Sequence, residues 1–172
     1  MGIRSPLLPV ISLPLGCNEV TMLELASSYA TIANMGRRVE PISIIRVEDR
    51  DGNVLVENKP RERQVMDPNL VAALIDMMKG VVTNGTGKNA RLPRPVAGKT
   101  GTTSDYKDAW FVGFVPQLVC ATWVGNDNNT SMIQMTGGWI PAIMWKNFMK
   151  EALKNIPAQD FAKPKNMVQK SV

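Results

Sequence analysis

Three strand-like segments dominate the second half of the chain. The segment "VAGKTGTT" begins at Val96, and "DAWFVGFVPQLVCATWVG" contains two more segments joined near Pro116 and Gln117. Strands that are joined by a short turn and flanked by helices indicate an antiparallel sheet, without the regular strand–helix alternation of a nucleotide-binding fold. The two later segments are apolar on both faces, which predicts that they lie in the middle of the sheet, covered by helices.

Helix signals flank these strands. Thr21 and Glu24 have the spacing of a capping box, and Gly36 supplies a stop one helix length later. Asp67 followed by Pro68 predicts the start of a second helix. Between the two helices, "ISIIRVEDRDGNVLVE" alternates and turns at its Asp-Gly pair, which predicts a hairpin.

A third helix is predicted near the C-terminus, in "GGWIPAIMWKNFMKEALKN". Its predicted apolar stripe consists of Ile140, Met144, Phe148 and Ala152. The order helix, hairpin, helix, three strands, helix predicts an α+β fold in which an antiparallel β-sheet is flanked by helices. We expect one structural unit over residues 1–155, and a polar, flexible tail over residues 156–172.

The composition excludes several classes of function. Histidine is absent and Cys17 and Cys120 are the only cysteines, which argues against a zinc site and against a nucleophile activated by an imidazole. We expect no metal and no cofactor. The net charge of +5 comes from scattered basic residues without an aromatic platform, so we expect no nucleic-acid partner. No apolar run reaches the roughly 18 residues that a membrane span needs.

The stretch "AGKTGTTSDYKDAWFVGFVP" contains three overlapping motifs. A phosphate-binding loop that ends in Gly98, Lys99 and Thr100 needs a glycine five positions before Gly98. That position is Pro93, so the nucleotide-binding interpretation fails. Two interpretations remain, a "KTG" strand motif and an "SDYK" segment with the Ser-x-x-Lys spacing of a nucleophile.

The "KTG" letters occur in β-lactamases and penicillin-binding proteins. The sequence "GKTGTTSDYKDAWFVGFVP" resembles the region of this motif in the transpeptidase domain of class A penicillin-binding proteins, the bifunctional peptidoglycan synthases. The resemblance continues through "LGCNEVTMLELASSYATIANMGRRVEP", "VTNGTGKNA", "ATWVGNDNN" and "TGGWIPAIMWKNFM". It covers the chain from about Ile3 to Leu153 and implies part of a penicillin-binding transpeptidase fold, which is similar to that of serine β-lactamases.

The resemblance implies a role in peptidoglycan cross-linking. In the family a serine attacks a D-Ala-D-Ala stem peptide, releases D-Ala and passes the acyl group to an amine, and β-lactams trap the same serine. By matched position, Lys99 and Thr100 belong to the carboxylate-binding and proton network, and Gly101 allows close approach. Thr102 offers its hydroxyl to the substrate and its N–H to the oxyanion hole. Side chains two apart on a strand point to the same side, which fits Thr100 and Thr102.

The segment Ser104 to Lys107 does not fit the family's nucleophile. There the serine opens a helix, so that the lysine one turn later shares its face. Ser104 instead follows the predicted "KTG" strand by two residues and precedes another strand. The chain contains no other Ser-x-x-Lys and no Ser-x-Asn. We therefore expect no nucleophile on this chain, and expect it to lie in an upstream segment of a parent protein.

These expectations define the partners. They are the stem peptide and β-lactams, bound together with the upstream half of the domain, and a second copy of the chain through an exposed sheet face. The parent would act at the extracytoplasmic face of the bacterial inner membrane. Two alternatives stay open, a non-catalytic module that binds peptidoglycan or a partner, and a β-lactamase-like fragment.

Overall fold

A computed structural model describes residues 1–165 of the chain. Within these residues there are three α-helices: α1 (Met22–Ala33), α2 (Pro68–Thr83) and α3 (Ile140–Ala152). The seven strands are β1 (Arg37–Val39), β2 (Arg46–Glu48), β3 (Val54–Glu57), β4 (Glu62–Gln64), β5 (Ala97–Thr102), β6 (Asp108–Val115) and β7 (Leu118–Gly125). This order confirms the predicted α+β fold and its succession of elements.

The helix starts lie where the capping signals place them. The Thr21 side chain accepts a hydrogen bond from the Glu24 N–H, and the Glu24 carboxylate accepts one from the Thr21 N–H, so the capping box is complete. Asp67 caps α2 by accepting from the N–H groups of Asn69 and Leu70. Each cap therefore satisfies one or two of the backbone donors that have no partner within the first turn of its helix.

The main sheet is antiparallel, with the strand order β5–β6–β7. The central strand β6 is almost completely buried, as predicted. Strand β7 is an edge strand among the described residues and is half-buried along its whole length. The prediction of a mid-sheet position is thus right for β6 and wrong for β7 within this chain.

Helices cover the two faces of the sheet. On one face, Trp145 of α3 packs edge-on against Phe111 with ring centroids 5.4 Å apart, and its indole N–H donates to the carbonyls of Gly113 and Cys120. On the other face, Phe114 contacts Tyr29 of α1 at a centroid distance of 6.3 Å. Helix α2 lies along β5 on this second side and contributes a row of apolar side chains, namely Val71, Ile75 and Met78.

The hairpin between α1 and α2 is confirmed, with β2 paired to β3 and Gly52 in the turn at a φ of 83°. Its apolar side is exposed, with Val47 facing Val56 across the two strands. The short ladder of β1 and β4 joins this hairpin arm to the rest of the chain.

One expectation near the C-terminus needs correction. The buried side of α3 consists of Pro141, Ala142, Trp145 and Met149. The predicted stripe is largely exposed, with Met144 at 45% and Phe148 at 57%, because the bulky indole of Trp145 takes the place above Gly113.

The predicted tail over residues 156–172 includes one buried side chain, and its flexibility stays a prediction. Phe161 packs against Phe114 with ring centroids 5.6 Å apart, so this side chain belongs to the core. Residues 166–172 of the predicted tail lie outside the described residues. Within residues 1–165, each helix falls short of the length and apolar character that crossing a bilayer requires.

Candidate functional site

Strand β5 carries the four predicted site residues at an edge of the sheet that no other strand of residues 1–165 covers, called the open edge below. Its register pairs Thr100 with Phe111 and Thr102 with Ala109. Paired residues share a face, so both threonines lie on the side covered by α3. Lys99 and Gly101 lie on the opposite face.

The open edge presents backbone groups as well as side chains. The Thr103 N–H donates to the Asp108 carbonyl at 3.0 Å, which places residue 103 among those bonded to β6. Backbone groups alternate between the two sides of a strand. The N–H groups of Thr100 and Thr102 therefore point away from β6, toward the open edge.

Each threonine hydroxyl on β5 has a partner from a different loop. Thr100 Oγ1 lies 2.7 Å from Thr86 Oγ1, in the loop after α2. Thr102 Oγ1 accepts a hydrogen bond of 3.1 Å from the N–H of Gly137, in the loop before α3. Sequence reasoning missed Thr86 and Gly137 as individual residues. The only signal was the clustering of glycines around them, in "NGTGK" and "TGGW".

The loop before α3 lies flat against β5 and β6. A Cβ atom on Gly137 would overlap the carbonyl oxygens of Trp110 and Gly101, and one on Gly138 would overlap the Thr86 carbonyl. The side-chain amide of Asn89 donates to the Gly138 carbonyl at 2.8 Å. Only glycine allows this approach, so the double glycine fixes the distance between the loop and the strand.

Lys99 and Gly101 form the other face of the strand edge. Lys99 is exposed, and its ammonium donates to the Thr100 carbonyl at 2.7 Å. A Cβ on Gly101 would lie 3.2 Å from the Cβ of Trp110, so glycine leaves room there. Trp110 contacts Trp123 with ring centroids 6.2 Å apart, and the Trp123 indole N–H donates to Asp108 Oδ1 at 2.9 Å.

Ser104 lies in the turn that joins β5 to β6. The turn is a single 3-10 turn over Ser104–Tyr106 in which Asp105 has a φ of 62° and Tyr106 a φ of 55°. These left-handed residues interrupt the helical path between Ser104 and Lys107. The side chains of Ser104 and Lys107 therefore do not share a helix face. This agrees with the prediction that Ser104 lies in a loop and not at the start of a helix.

A groove of about 470 Å³ lies apart from this strand edge, between α1 and the turn that joins β6 to β7, and its lining includes Ala26, Ala30 and Val119. Within residues 1–165, His, Cys, Asp and Glu side chains form no cluster of three that could hold a metal ion. Strand β5 thus carries Lys99, Thr100 and Thr102 along one edge, with Gly101 between the two threonines.

Known proteins with similar sequences and structures point to one family. The profile of the penicillin binding protein transpeptidase domain matches residues 9–150. Penicillin-binding protein 1A of Aquifex aeolicus is 41% identical over 158 residues, which is 91% of this chain and 22% of the relative. Penicillin-binding protein 2D of Bacillus subtilis is 37% identical over 175 residues, which is 96% of this chain and 25% of the relative. The chain thus spans about a quarter of the length of these curated relatives.

A solved structure agrees with these sequence matches. The PonA1 protein from Mycobacterium tuberculosis, determined in complex with penicillin V, superimposes with a TM-score of 0.85 at 29% identity, over 92% of this chain and 45% of that chain. The matched profile covers most of the chain, and the fold agrees with it. This chain therefore belongs to the penicillin-binding protein transpeptidase family, as a portion of its transpeptidase domain.

Proposed function

We propose that the chain forms one wall of a serine D,D-transpeptidase site that cross-links peptidoglycan stem peptides and binds β-lactams. The observation that carries the proposal is the open edge of β5, where Lys99, Thr100 and Thr102 lie within four consecutive residues. A D-alanyl terminus and a penicillin both present a carboxylate. The ammonium of Lys99 attracts that charge, and the two hydroxyls can donate hydrogen bonds to it.

The backbone of Thr102 supplies the second part of the site. Its N–H points to the open edge of the strand, where it can donate to the carbonyl oxygen of the scissile bond as negative charge develops there. A serine from the upstream part of the parent would attack that carbonyl carbon. The C–N bond to D-Ala breaks, the amine leaves with a proton, and the acyl group passes to an acceptor amine.

Peptidoglycan lies outside the cytoplasmic membrane, so we place the parent at the extracytoplasmic face of the bacterial inner membrane. The wall on β5 contains no serine, and Ser104 lies in the turn beyond it. We therefore propose that the chain alone is not acylated, and that the upstream half of the domain completes it.

A fluorescent penicillin tests this proposal. We expect no covalent labelling of the chain alone, and labelling when the upstream transpeptidase segment is co-expressed. We call the chain together with the co-expressed upstream segment the completed pair. In it, Lys99→Ala should weaken labelling because it removes the charge that attracts the carboxylate. The matched control Ser104→Ala should leave labelling unchanged.

Each contrary result has a definite meaning. Labelling of the chain alone would show that it carries its own nucleophile. Absence of labelling in a folded, completed pair would favour a non-catalytic module that binds peptidoglycan or a partner.

A further inference from the structure

We infer that Thr86 and Gly137 are positioning residues, which turn the hydroxyl hydrogens of Thr100 and Thr102 toward the substrate carboxylate. This inference rests on the proposed function. It concerns how the strand edge distinguishes a carboxylate from a neutral group, and it assigns that selectivity partly to two loops that lie outside the "KTG" motif.

The contact of Gly137 determines what the Thr102 hydroxyl can do. A threonine hydroxyl has one hydrogen to donate and two lone pairs that accept. The Gly137 N–H occupies a lone pair of Thr102 Oγ1 from 3.1 Å, so this contact uses no hydroxyl hydrogen. Thr102 is exposed, so its hydroxyl hydrogen remains available to a ligand at the open edge. The hydroxyl is thereby set as a donor to an anion.

The contact of Thr86 acts on Thr100 in the same way. The two hydroxyl oxygens are 2.7 Å apart, and either one can donate. When a carboxylate accepts from Thr100, the hydrogen between the two oxygens must come from Thr86. The result is a chain of hydrogen bonds from Thr86 to Thr100 to the carboxylate, and such chains strengthen each member by polarisation.

The two loops lie close against the strand and are joined to each other. The missing side chains of Gly137 and Gly138 allow their backbone to lie against Gly101, Trp110 and Thr86. The hydrogen bond from Asn89 to the Gly138 carbonyl joins the loop after α2 to the loop before α3. The two loops that contact the hydroxyls of Thr100 and Thr102 are therefore joined to each other as well as to the strand.

The test compares a carboxylate ligand with the same ligand lacking the charge. Penicillin acylation is measured on the pair completed by the upstream segment, with benzylpenicillin and with its methyl ester. We expect Thr86→Val to slow acylation by the acid about ten-fold, the loss for one hydrogen bond to a charged group. The ester should be affected much less, so the acid-to-ester ratio of acylation rates should fall. Thr86→Ser keeps the hydroxyl and should restore the ratio.

The matched control is Thr83→Val, at the end of α2. Thr83 is exposed, and its hydroxyl donates to the Lys79 carbonyl within the helix. We expect its acid-to-ester ratio to equal that of the unmodified pair. Because the ratio is taken within each variant, partial misfolding of Thr86→Val does not change its meaning.

The outcomes separate this inference from the proposed function. An unchanged ratio in Thr86→Val, together with labelling of the unmodified pair, would overturn the positioning role while the transpeptidase proposal stands. An equal loss for acid and ester would assign Thr86 a merely structural role. Failure of the unmodified pair to label would remove the proposed function, and the positioning role with it.

Discussion

At the scale of single residues, Glu24 is the carboxylate whose pKa is lowered most strongly among the described residues. The hydroxyl of Ser5 and the backbone N–H groups of Arg4, Thr21 and Ser5 donate to its carboxylate, and together they lower its pKa from 4.5 to about 2. A folded-state pKa below the unfolded value stabilises the fold above the unfolded pKa. This stabilisation is lost as the pH falls from about 4.5 through about 2.

Replacing Glu24 by Gln tests this linkage. At pH 7 we expect Glu24→Gln to lower the free energy of unfolding, because an amide is a weaker acceptor than a carboxylate. The difference between the two proteins should shrink as the pH is lowered toward 2, where the native carboxylate also becomes protonated. Urea unfolding at several pH values measures both quantities.

Glu19 provides the matched control for Glu24. It is an exposed carboxylate shortly before α1. We expect Glu19→Gln to have little effect on the free energy of unfolding at any of these pH values. A pH-independent difference for Glu24→Gln would show that the side chain acts through its shape and not through its charge.

The residues of the candidate site were only partly predictable. Lys99, Thr100, Gly101 and Thr102 are neighbours in the chain, so a local motif with its strand alternation was enough to propose them. Thr86 and Gly137 reach the strand across 14 and 35 residues of sequence. Contacts of that kind depend on how the loops pack, and no local periodicity reports them.

At the scale of elements, two arginines hold the ends of two different helices. Arg91 donates to the carbonyls of Val82 and Thr83 at the end of α2. Arg94 donates to the carbonyl of Leu153, the cap residue at the end of α3, at 3.4 Å, and to the carbonyl of Ile156 beyond it at 2.8 Å. The last carbonyls of a helix lack partners within the helix, and a cation also complements the negative end of its dipole. The short segment before β5 thus links both helices to the sheet.

The contact between α3 and β6 depends on a residue without a side chain. A Cβ on Gly113 would lie 2.7 Å from Phe111 Cε1 and 2.8 Å from Trp145 Cε2. Both rings belong to fully buried side chains, so neither has free space to move into. We expect Gly113→Ala to lower the free energy of unfolding by about 1–3 kcal/mol, the usual cost of overpacking a core.

Gly80 in α2 provides a control of opposite sign. A Cβ there would meet no heavy atom within 4 Å apart from the adjacent backbone of its own helix, and the residue lies inside that helix. We expect Gly80→Ala to raise the free energy of unfolding by about 0.5–1 kcal/mol, because alanine loses less backbone entropy than glycine. Chemical denaturation of both variants measures the pair, and a destabilised Gly80→Ala would contradict the open space around that position.

The elements themselves were largely predictable, and their packing was not. Caps and turns are local signals, so both capped helices, the hairpin and the three strands were predicted correctly. The prediction of which side of α3 faces the core was wrong, because Leu, Ile, Met, Phe and Trp are similarly apolar and the sequence does not rank them. The space above Gly113 is filled by the indole of Trp145, whose N–H also donates to two carbonyl groups there. The edge position of β7 could not be read from a segment whose apolar residues suit the centre of a sheet.

At the scale of the whole molecule, β7 presents an edge that lacks the usual protection. The strand reads "LVCATWVG" and contains no charged residue and no proline. Native edge strands commonly carry such residues, which prevent pairing with another chain. Val115 and Leu118 close the turn between β6 and β7, so the N–H groups of alternate residues, including Ala121, point outward.

We expect the isolated chain to self-associate through this edge as its concentration rises. Ala121→Pro removes an outward-pointing N–H without breaking the ladder to β6, so it should shift the chain toward the monomer. The exposed apolar side of the hairpin arm is the competing surface, and Val56→Lys places a charge there. Sedimentation velocity over a concentration series measures the association of all three proteins. If Val56→Lys is monomeric and Ala121→Pro still associates, the contact lies on the hairpin arm and not on β7. If the unmodified chain is itself monomeric, the expected association through the β7 edge is wrong.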